Sequence, residues 1–126
     1  MSVVLDASAL LAVLLNEQGI DVVLPVLRQS HMSAVNLSEV FVKLLEKGVD
    51  ISRAQAQIDR FEIRIFAFDE RHALHAASLR PLTKHLGLSF GDRACLAQAH
   101  LDKMPVFTAD KDWSKLNLDI VIWQIR

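Results

Sequence analysis

The chain has 126 residues, of which 52% are hydrophobic, with four glycines, three prolines and a formal net charge of −1. This composition excludes a disordered or repetitive chain, so we expect a single domain with one core over residues 1–126. The near-zero charge excludes nucleic-acid binding through bulk positive charge and leaves only a local basic site. The single cysteine, Cys95, excludes an intrachain disulfide and is typical of a reducing compartment, so we expect a cytoplasmic protein.

The apolar N-terminal segment differs from a signal peptide or a membrane anchor. No basic residue precedes it, and Asp6 and Ser8 interrupt it. Its longest uninterrupted apolar run, residues 9–15, is far shorter than the ~20 residues that a membrane-spanning helix needs. We therefore expect no membrane association.

Short strand patterns alternate with helical patterns along the chain. Strands are predicted at residues 2–5, 31–34, 63–68, 105–110 and 119–125. Helices are predicted from about residue 8 to 16, over residues 21–29 with an interruption at Pro25, and over residues 36–48, 52–61, 69–79, 81–87 and 91–103. Parallel strands need a crossover between them, so this alternation predicts an α/β fold with a small central parallel sheet flanked by helices.

Four acidic residues fall where predicted strands end or where the next helices begin. Asp6 follows the first strand and Asp110 ends the fourth, whereas Glu39 and Asp92 lie in the first turns of two helices. Ligands bind such folds beyond the carboxyl ends of the parallel strands. We therefore expect these four carboxylates to converge at one edge of the sheet.

Three of these acids also have a structural explanation. Asn36 with Glu39, and Ser89 with Asp92, have the spacing of a capping box, in which an acid binds the backbone at the start of its own helix. Asp110 lies in a turn-like segment and fits a turn residue equally well. Asp6 has no comparable explanation, because it is a charge between two apolar runs.

A convergence of carboxylates favours a bound cation. Carboxylates within ~5 Å raise one another's pKa, and oxygen-only ligands favour Mg²⁺ or Mn²⁺. Two such ions ~3.5–4 Å apart activate water and stabilise the leaving oxygen during phosphodiester cleavage. The pattern therefore predicts a metal-dependent nuclease.

Four segments in this order, DASAL, SAVNLSEV, LSFGDRACLA and TADKDW, resemble the PIN-domain ribonucleases, specifically the VapC-type toxins of bacterial toxin–antitoxin pairs. The resemblance extends over residues 2–113. It implies a PIN-like three-layer sandwich, an acidic site for Mg²⁺ in which Mn²⁺ can substitute, and cleavage of RNA by a water nucleophile. It also implies a VapB-type antitoxin as partner and a homodimer.

The acidic quartet of the family falls on Asp6, Glu39, Asp92 and Asp110 of this chain. The resemblance implies that these four residues are the catalytic residues and the metal ligands. No position of the quartet is missing, which favours an active enzyme over a degenerate one.

Five further residues are secondary candidates. Ser8 and Thr108 match small hydroxyl positions of the family, and each would hold metal-bound water or orient a carboxylate. Asp112 is either a fifth, outer acid or a helix cap. Arg93 and Lys111 lie beside the predicted acids in sequence, where each either contacts a substrate phosphate or is a solvated surface charge.

Other notable residues are predicted to be structural. His72 and His75 have a zinc-binding spacing but lack the usual companion ligands, and Cys95 fits a small buried residue. Five phenylalanines are predicted to lie in the core rather than to stack on bases: Phe41, Phe61, Phe66, Phe68 and Phe107.

Two other functions remain open from sequence. The first is a catalytically silent PIN-like binding or assembly module, whose acids only cap helices. The second is a small-molecule phosphoesterase, because a strand followed by Asp-x-Ser also begins some phosphoryl-transfer sites.

Overall fold

The computed structural model describes residues 1–126. Its centre is a five-stranded sheet in the order β3-β2-β1-β4-β5, in which every neighbouring pair is parallel. The strands are β1 (Val3–Leu5), β2 (Ser30–Ser33), β3 (Arg64–Phe66), β4 (Val106–Thr108) and β5 (Ile122–Gln124). The predicted α/β class with a small parallel sheet is confirmed.

Seven α-helices connect and cover the strands. They are α1 (Ala7–Leu14), α2 (Ile20–Val23), α3 (Ala34–Glu46), α4 (Ile51–Arg60), α5 (Glu70–Ser78), α6 (Arg80–Thr83) and α7 (Phe90–Asp102). Three 3₁₀-helices span Leu24–Gln29, Lys84–Leu86 and Lys111–Lys115. None of the helices is both long enough and apolar enough to cross a lipid bilayer.

The two faces of the sheet bury two separate hydrophobic clusters. Side chains alternate across a strand, so Val3 and Leu5 of β1 join the cluster under α1–α4, whereas Val4 joins the cluster under α5 and α7. The three-layer arrangement follows from this alternation. It also explains why β1, at the centre, is apolar at every position.

Two predicted helix starts are wrong. Helix α3 begins at Ala34, and the Ser33 hydroxyl accepts a hydrogen bond from the Val35 N–H, so Asn36 lies inside the helix rather than at its cap. Helix α4 is capped by Asp50 rather than by Ser52. In both places two residues with good capping side chains lie close together in sequence, and local pattern does not choose between them.

The carboxyl edge of the sheet gathers the segments that carry the predicted acids. Asp6 links β1 directly to α1, and Ser33 links β2 directly to α3. Asp110 follows β4 by two residues. Helix α7 packs against α3 and against β1, which brings Asp92 to the same region.

Candidate active site

Asp6 is a buried carboxylate at the end of the central strand. Its backbone N–H is bound to the Phe107 carbonyl of β4, so its position is fixed by the sheet. Burial raises the pKa of Asp6 from 3.8 to about 6, two hydroxyl hydrogen bonds oppose this, and the charges of Asp92 and Glu39 raise it further. Asp6 is therefore close to its protonation midpoint under mildly acidic conditions.

Ser8 and Thr108 bind the same oxygen of Asp6. The Ser8 hydroxyl donates to Asp6 Oδ2 at 2.7 Å, and the Thr108 hydroxyl donates to it at 2.9 Å. Each hydroxyl also accepts a backbone hydrogen bond, Ser8 from the Ala109 N–H and Thr108 from the Asp110 N–H. These bonds orient the Asp6 carboxylate and favour its ionised form.

Glu39 is held against the start of α7 by Asn36. The Asn36 amide donates to Glu39 Oε1 at 2.8 Å and to the Gly91 carbonyl at 2.9 Å. A β-carbon at Gly91 would lie only 2.2 Å from Glu39 Oε2, so this arrangement requires glycine at that position. Burial raises the pKa of Glu39, the Asn36 hydrogen bond lowers it, and the Asp92 charge raises it.

Asp92 both caps helix α7 and belongs to the acidic cluster. Its carboxylate accepts the Ser89 N–H at 2.9 Å, while the Ser89 hydroxyl accepts the Asp92 N–H, which is a complete capping box. The same carboxylate raises the pKa of Asp6 and of Glu39. The structural role therefore coexists with membership of the acidic cluster.

Asp6, Glu39 and Asp92 thus lie in one region of the molecule, and the buried thiol of Cys95 is close enough to be affected by all three charges. Cys95 is fully buried, and burial, followed by the charges of Asp6, Asp92 and Glu39, raises the pKa of its thiol well above the usual value. A buried thiol with a raised pKa is typical of a structural cysteine rather than of a nucleophile.

The fourth predicted acid, Asp110, lies on the surface rather than with Asp6, Glu39 and Asp92. The Asp110 carboxylate accepts the Asp112 N–H at 3.0 Å and caps the 3₁₀-helix Lys111–Lys115. Asp110 is exposed and is absent from the charges that raise the pKa of Asp6. Asp112 forms an ion pair with Lys115 on the surface.

The two residues predicted to contact substrate phosphate, Arg93 and Lys111, differ in how accessible their charged groups are. Arg93 is partly buried and donates to the Ala76 carbonyl of α5 at 3.1 Å, so its guanidinium is directed toward α5. Lys111 is exposed at the start of the last 3₁₀-helix, directly after Asp110. Of the two, Lys111 has the more accessible ammonium group.

The two histidines with zinc-binding spacing make different contacts. His72 is buried and hydrogen-bonded to Asp69, whereas His75 stacks on His100 with ring centroids 4.5 Å apart.

A model of the PIN domain family matches residues 3–118 of this sequence. The chain belongs to the PIN domain family. The match includes all four predicted acids and supports the predicted nuclease class. Among curated proteins, none matches this sequence significantly.

Several solved structures have the same fold over nearly their whole length. A toxin–antitoxin complex from Klebsiella pneumoniae superposes with a TM-score of 0.80 at 19% identity, covering 99% of this chain and 98% of that chain. DNA-bound VapBC from Salmonella typhimurium superposes with a TM-score of 0.77 at 17% identity, covering 100% of this chain and 99% of that chain. FitAcB from Neisseria gonorrhoeae superposes with a TM-score of 0.76 at 22% identity, covering 98% of this chain and 97% of that chain. At these identities the similarity establishes the PIN fold.

The oxygen ligands of the acidic cluster, Asp6, Glu39 and Asp92, fit a divalent cation in their chemistry, although the three carboxylates do not converge on one point. Burial and the charge of Asp92 raise the pKa of Asp6 and of Glu39, and a hard cation would offset both effects. No group of three Asp, Glu, His or Cys side chains lies close enough to hold an ion. Two members of the quartet, Asp92 and Asp110, are instead engaged as helix caps.

Two residues of this site are not predicted from sequence. Asn36 is interpreted there as a helix cap, and its contact with Gly91 joins positions 55 residues apart. Gly91 itself carries a usable signal, because a glycine in the first turn of an otherwise alanine-rich helix indicates close approach by another group.

Proposed function

We propose that residues 1–126 form a single PIN domain that acts as a metal-dependent endoribonuclease, hydrolysing RNA phosphodiester bonds with an activated water. The observation that supports this most is the burial of Asp6 beside Glu39 and Asp92. Clustered carboxylates that raise one another's pKa destabilise a free protein, and a bound divalent cation offsets that cost. A purely structural site has no need of such an arrangement.

In this proposal Asp6, Glu39 and Asp92 hold Mg²⁺, or Mn²⁺ in its place, and Asp110 is the fourth ligand. The ion would supply Lewis-acid stabilisation of the phosphate and a lowered pKa for the attacking water. Ser8 and Thr108 keep Asp6 ionised and oriented through their hydrogen bonds to Oδ2.

Neighbouring groups complete the proposed site. Asn36 keeps the Glu39 carboxylate beside α7 through its amide hydrogen bonds. Lys111 and, less directly, Arg93 are the proposed contacts to substrate phosphate. Asp112 supports the turn that carries Asp110.

We further propose that the enzyme is a cytoplasmic toxin, inhibited by a VapB-type antitoxin, and that it forms a homodimer. The support is that four solved structures, one of them a toxin–antitoxin complex and two of them VapBC proteins, superpose on this chain over nearly their full length with TM-scores of 0.74 to 0.80. Gel filtration and pull-down with the product of an adjacent small gene test this part separately from the chemistry.

The catalytic proposal is tested with purified protein and labelled single-stranded RNA. We expect endonucleolytic products with Mg²⁺ or Mn²⁺, no products with excess EDTA, and loss of activity by at least ~100-fold in Asp6→Asn and in Asp92→Asn. Asp59→Asn, which removes an exposed carboxylate from α4, is the matched control and should retain full activity. Unchanged cleavage in both Asp6→Asn and Asp92→Asn contradicts the proposal.

A silent binding module is the second candidate, and the capping roles of Asp92 and Asp110 favour it. Thermal unfolding with Mn²⁺ separates the two. A nuclease site should be stabilised by ~3 kcal/mol at a hundredfold excess over Kd, and Asp6→Asn should abolish the shift. A module whose acids only cap helices should show no Mn²⁺ effect.

A further inference from the structure

We propose that Phe90 is the binding site for one unpaired nucleobase of the RNA substrate. This inference rests on the proposed ribonuclease function. Phe90 is the first residue of α7 and lies two residues before Asp92, yet 50% of its surface is exposed. An exposed phenyl ring beside an acidic cluster has an energetic cost in water that stacking on a base would remove.

Neighbouring side chains fix the orientation of the Phe90 ring. It meets Phe68 edge to face, with ring centroids 5.3 Å apart and an interplanar angle of 78°. Phe68 is itself partly buried against the cluster under α5 and α7. Phe90 is therefore a preorganised surface rather than a freely rotating side chain, which lowers the entropic cost of binding a ligand.

The charges around Phe90 favour a nucleotide as the occupant. The Arg93 guanidinium lies 5.9 Å from the Phe90 ring centroid, and Arg80 donates to the Leu88 carbonyl at 3.2 Å, two residues before Phe90. The Arg93 guanidinium thus lies beside the exposed ring, and a second guanidinium, that of Arg80, is bound to the backbone two residues before Phe90. Aromatic rings with adjacent cations are the recurring components of single-strand nucleic-acid sites.

A local cationic group is needed here for a second reason. The chain has a net charge of −1, and the acidic cluster would repel a phosphate backbone. Arg80 and Arg93 supply positive charge on the α5–α7 side of the cluster. A protein partner would instead need a continuous apolar surface, whereas the residues next to Phe90 in sequence are Ser89, which caps α7, and Gly91 and Asp92 within the helix.

The test uses the full-length chain and a single-stranded RNA oligonucleotide that carries one 2-aminopurine. Binding is measured in excess EDTA with Asp6 unchanged, so that cleavage does not remove the probe, and kcat and KM are measured separately with Mg²⁺. Stacking of the 2-aminopurine on Phe90 should quench its fluorescence. We expect Phe90→Ala and Phe90→Leu to raise Kd and KM about tenfold and to weaken this quenching, whereas Phe90→Trp should bind and quench like the unmodified protein. Leu74→Ala, which removes another exposed apolar side chain, is the matched control.

Abasic substitutions distinguish stacking from a structural role. When the base that stacks on Phe90 is removed, Phe90→Ala should have no further effect on Kd, whereas a folding defect would weaken all oligonucleotides equally. Phe90→Leu keeps an apolar side chain, so its melting temperature serves as the check on folding.

Three outcomes overturn the proposal. If the unmodified protein cuts RNA and Phe90→Ala stays within twofold in KM, the base site is wrong and the ribonuclease function stands. If the unmodified protein neither binds nor cuts RNA, both are wrong. If Phe90→Ala loses antitoxin binding but retains RNA binding, Phe90 belongs to a protein interface.

Discussion

The side-chain amide of Asn36 holds the Glu39 carboxylate by a hydrogen bond of 2.8 Å. Asn36 is fully buried, and its second amide hydrogen bond, to the Gly91 carbonyl, joins α3 to α7. Glu39 is therefore not a free side chain that an ion has to organise. Its position is set by the packing of two helices that are far apart in sequence.

We predict that Asn36→Asp will reduce kcat/KM by at least ~10-fold and lower the free energy of unfolding by ~2–3 kcal/mol. The substitution replaces the amide donor with a second carboxylate beside Glu39, and it leaves a buried charge without a partner. RNA cleavage assays and urea unfolding measure the two effects.

Ser38→Asp is the matched control, because it adds the same charge at an exposed position of α3. It should change both quantities little. Equal losses in Asn36→Asp and Ser38→Asp would mean that added charge, rather than the loss of the amide bond, is responsible.

We predict that Gly91→Ala will reduce activity more than stability. The new β-carbon would lie 2.2 Å from Glu39 Oε2, so the carboxylate has to move and its bond to Asn36 is strained or lost. Because the colliding atoms belong to a side-chain carboxylate rather than to the backbone, the carboxylate can move aside, and the loss of stability should be ~1 kcal/mol, that of one hydrogen bond. We expect activity to fall by at least ~10-fold.

A double-mutant cycle with Glu39→Ala tests the cause. Once the carboxylate is absent, Gly91→Ala should increase the free energy of unfolding by up to ~1 kcal/mol, because alanine favours a helix over glycine. The sign of the stability change should therefore reverse between the two backgrounds. The same effect in both would exclude the contact with Glu39 as its origin.

The sheet is predictable from sequence because its information is local. The central strand β1 is a short apolar run before a helical pattern, and the strand-end rule places Asp6 at the carboxyl edge. Helix starts are less predictable, since Ser33 and Asn36 are both good capping residues and the end of β2 selects the first.

Contacts between distant parts of the chain are the portion that sequence patterns miss. The hydrogen bond from Thr108 to Asp6 spans 102 residues, and only the resemblance to the PIN family suggested a role for Thr108. The exposure of Phe90 follows no periodicity, because it depends on how α7 packs against the segment after β3. The capping of a 3₁₀-helix by Asp110 likewise depends on that helix being present.

We predict that Asp6→Asn will stabilise the metal-free protein above pH 6. Burial raises the pKa of Asp6 from 3.8 to about 6, so the folded state holds a proton more tightly than the unfolded state does. The resulting contribution favours folding below pH 4 and is lost as the pH rises from 4 to 6, by ~3 kcal/mol at most. Asparagine accepts the same two hydroxyl hydrogen bonds without carrying a charge.

Urea unfolding in EDTA at pH 4 and at pH 7.5 measures this difference. The advantage of Asp6→Asn should be small at pH 4 and reach ~2–3 kcal/mol at pH 7.5. Asp59→Asn should show no such pH dependence. If Asp6→Asn is destabilising at pH 7.5, the ionised carboxylate has a structural function that outweighs its burial.

We predict that Asp110→Asn and Asp110→Ala will separate the capping function of this residue from its proposed metal-binding function. Asparagine is as good a cap as aspartate, so Asp110→Asn should preserve the bond to the Asp112 N–H and leave the melting temperature nearly unchanged. Asp110→Ala should lower the free energy of unfolding by ~1 kcal/mol.

Activity then distinguishes the two functions. If Asp110 is a metal ligand, Asp110→Asn should lose at least ~10-fold in activity and require more Mn²⁺ for half-maximal rate, despite normal stability. Asp112→Asn is the matched control, because it removes a neighbouring exposed carboxylate that pairs with Lys115. Normal activity in Asp110→Asn, with a stability loss only in Asp110→Ala, would assign Asp110 to the cap alone and reduce the metal-binding set to Asp6, Glu39 and Asp92.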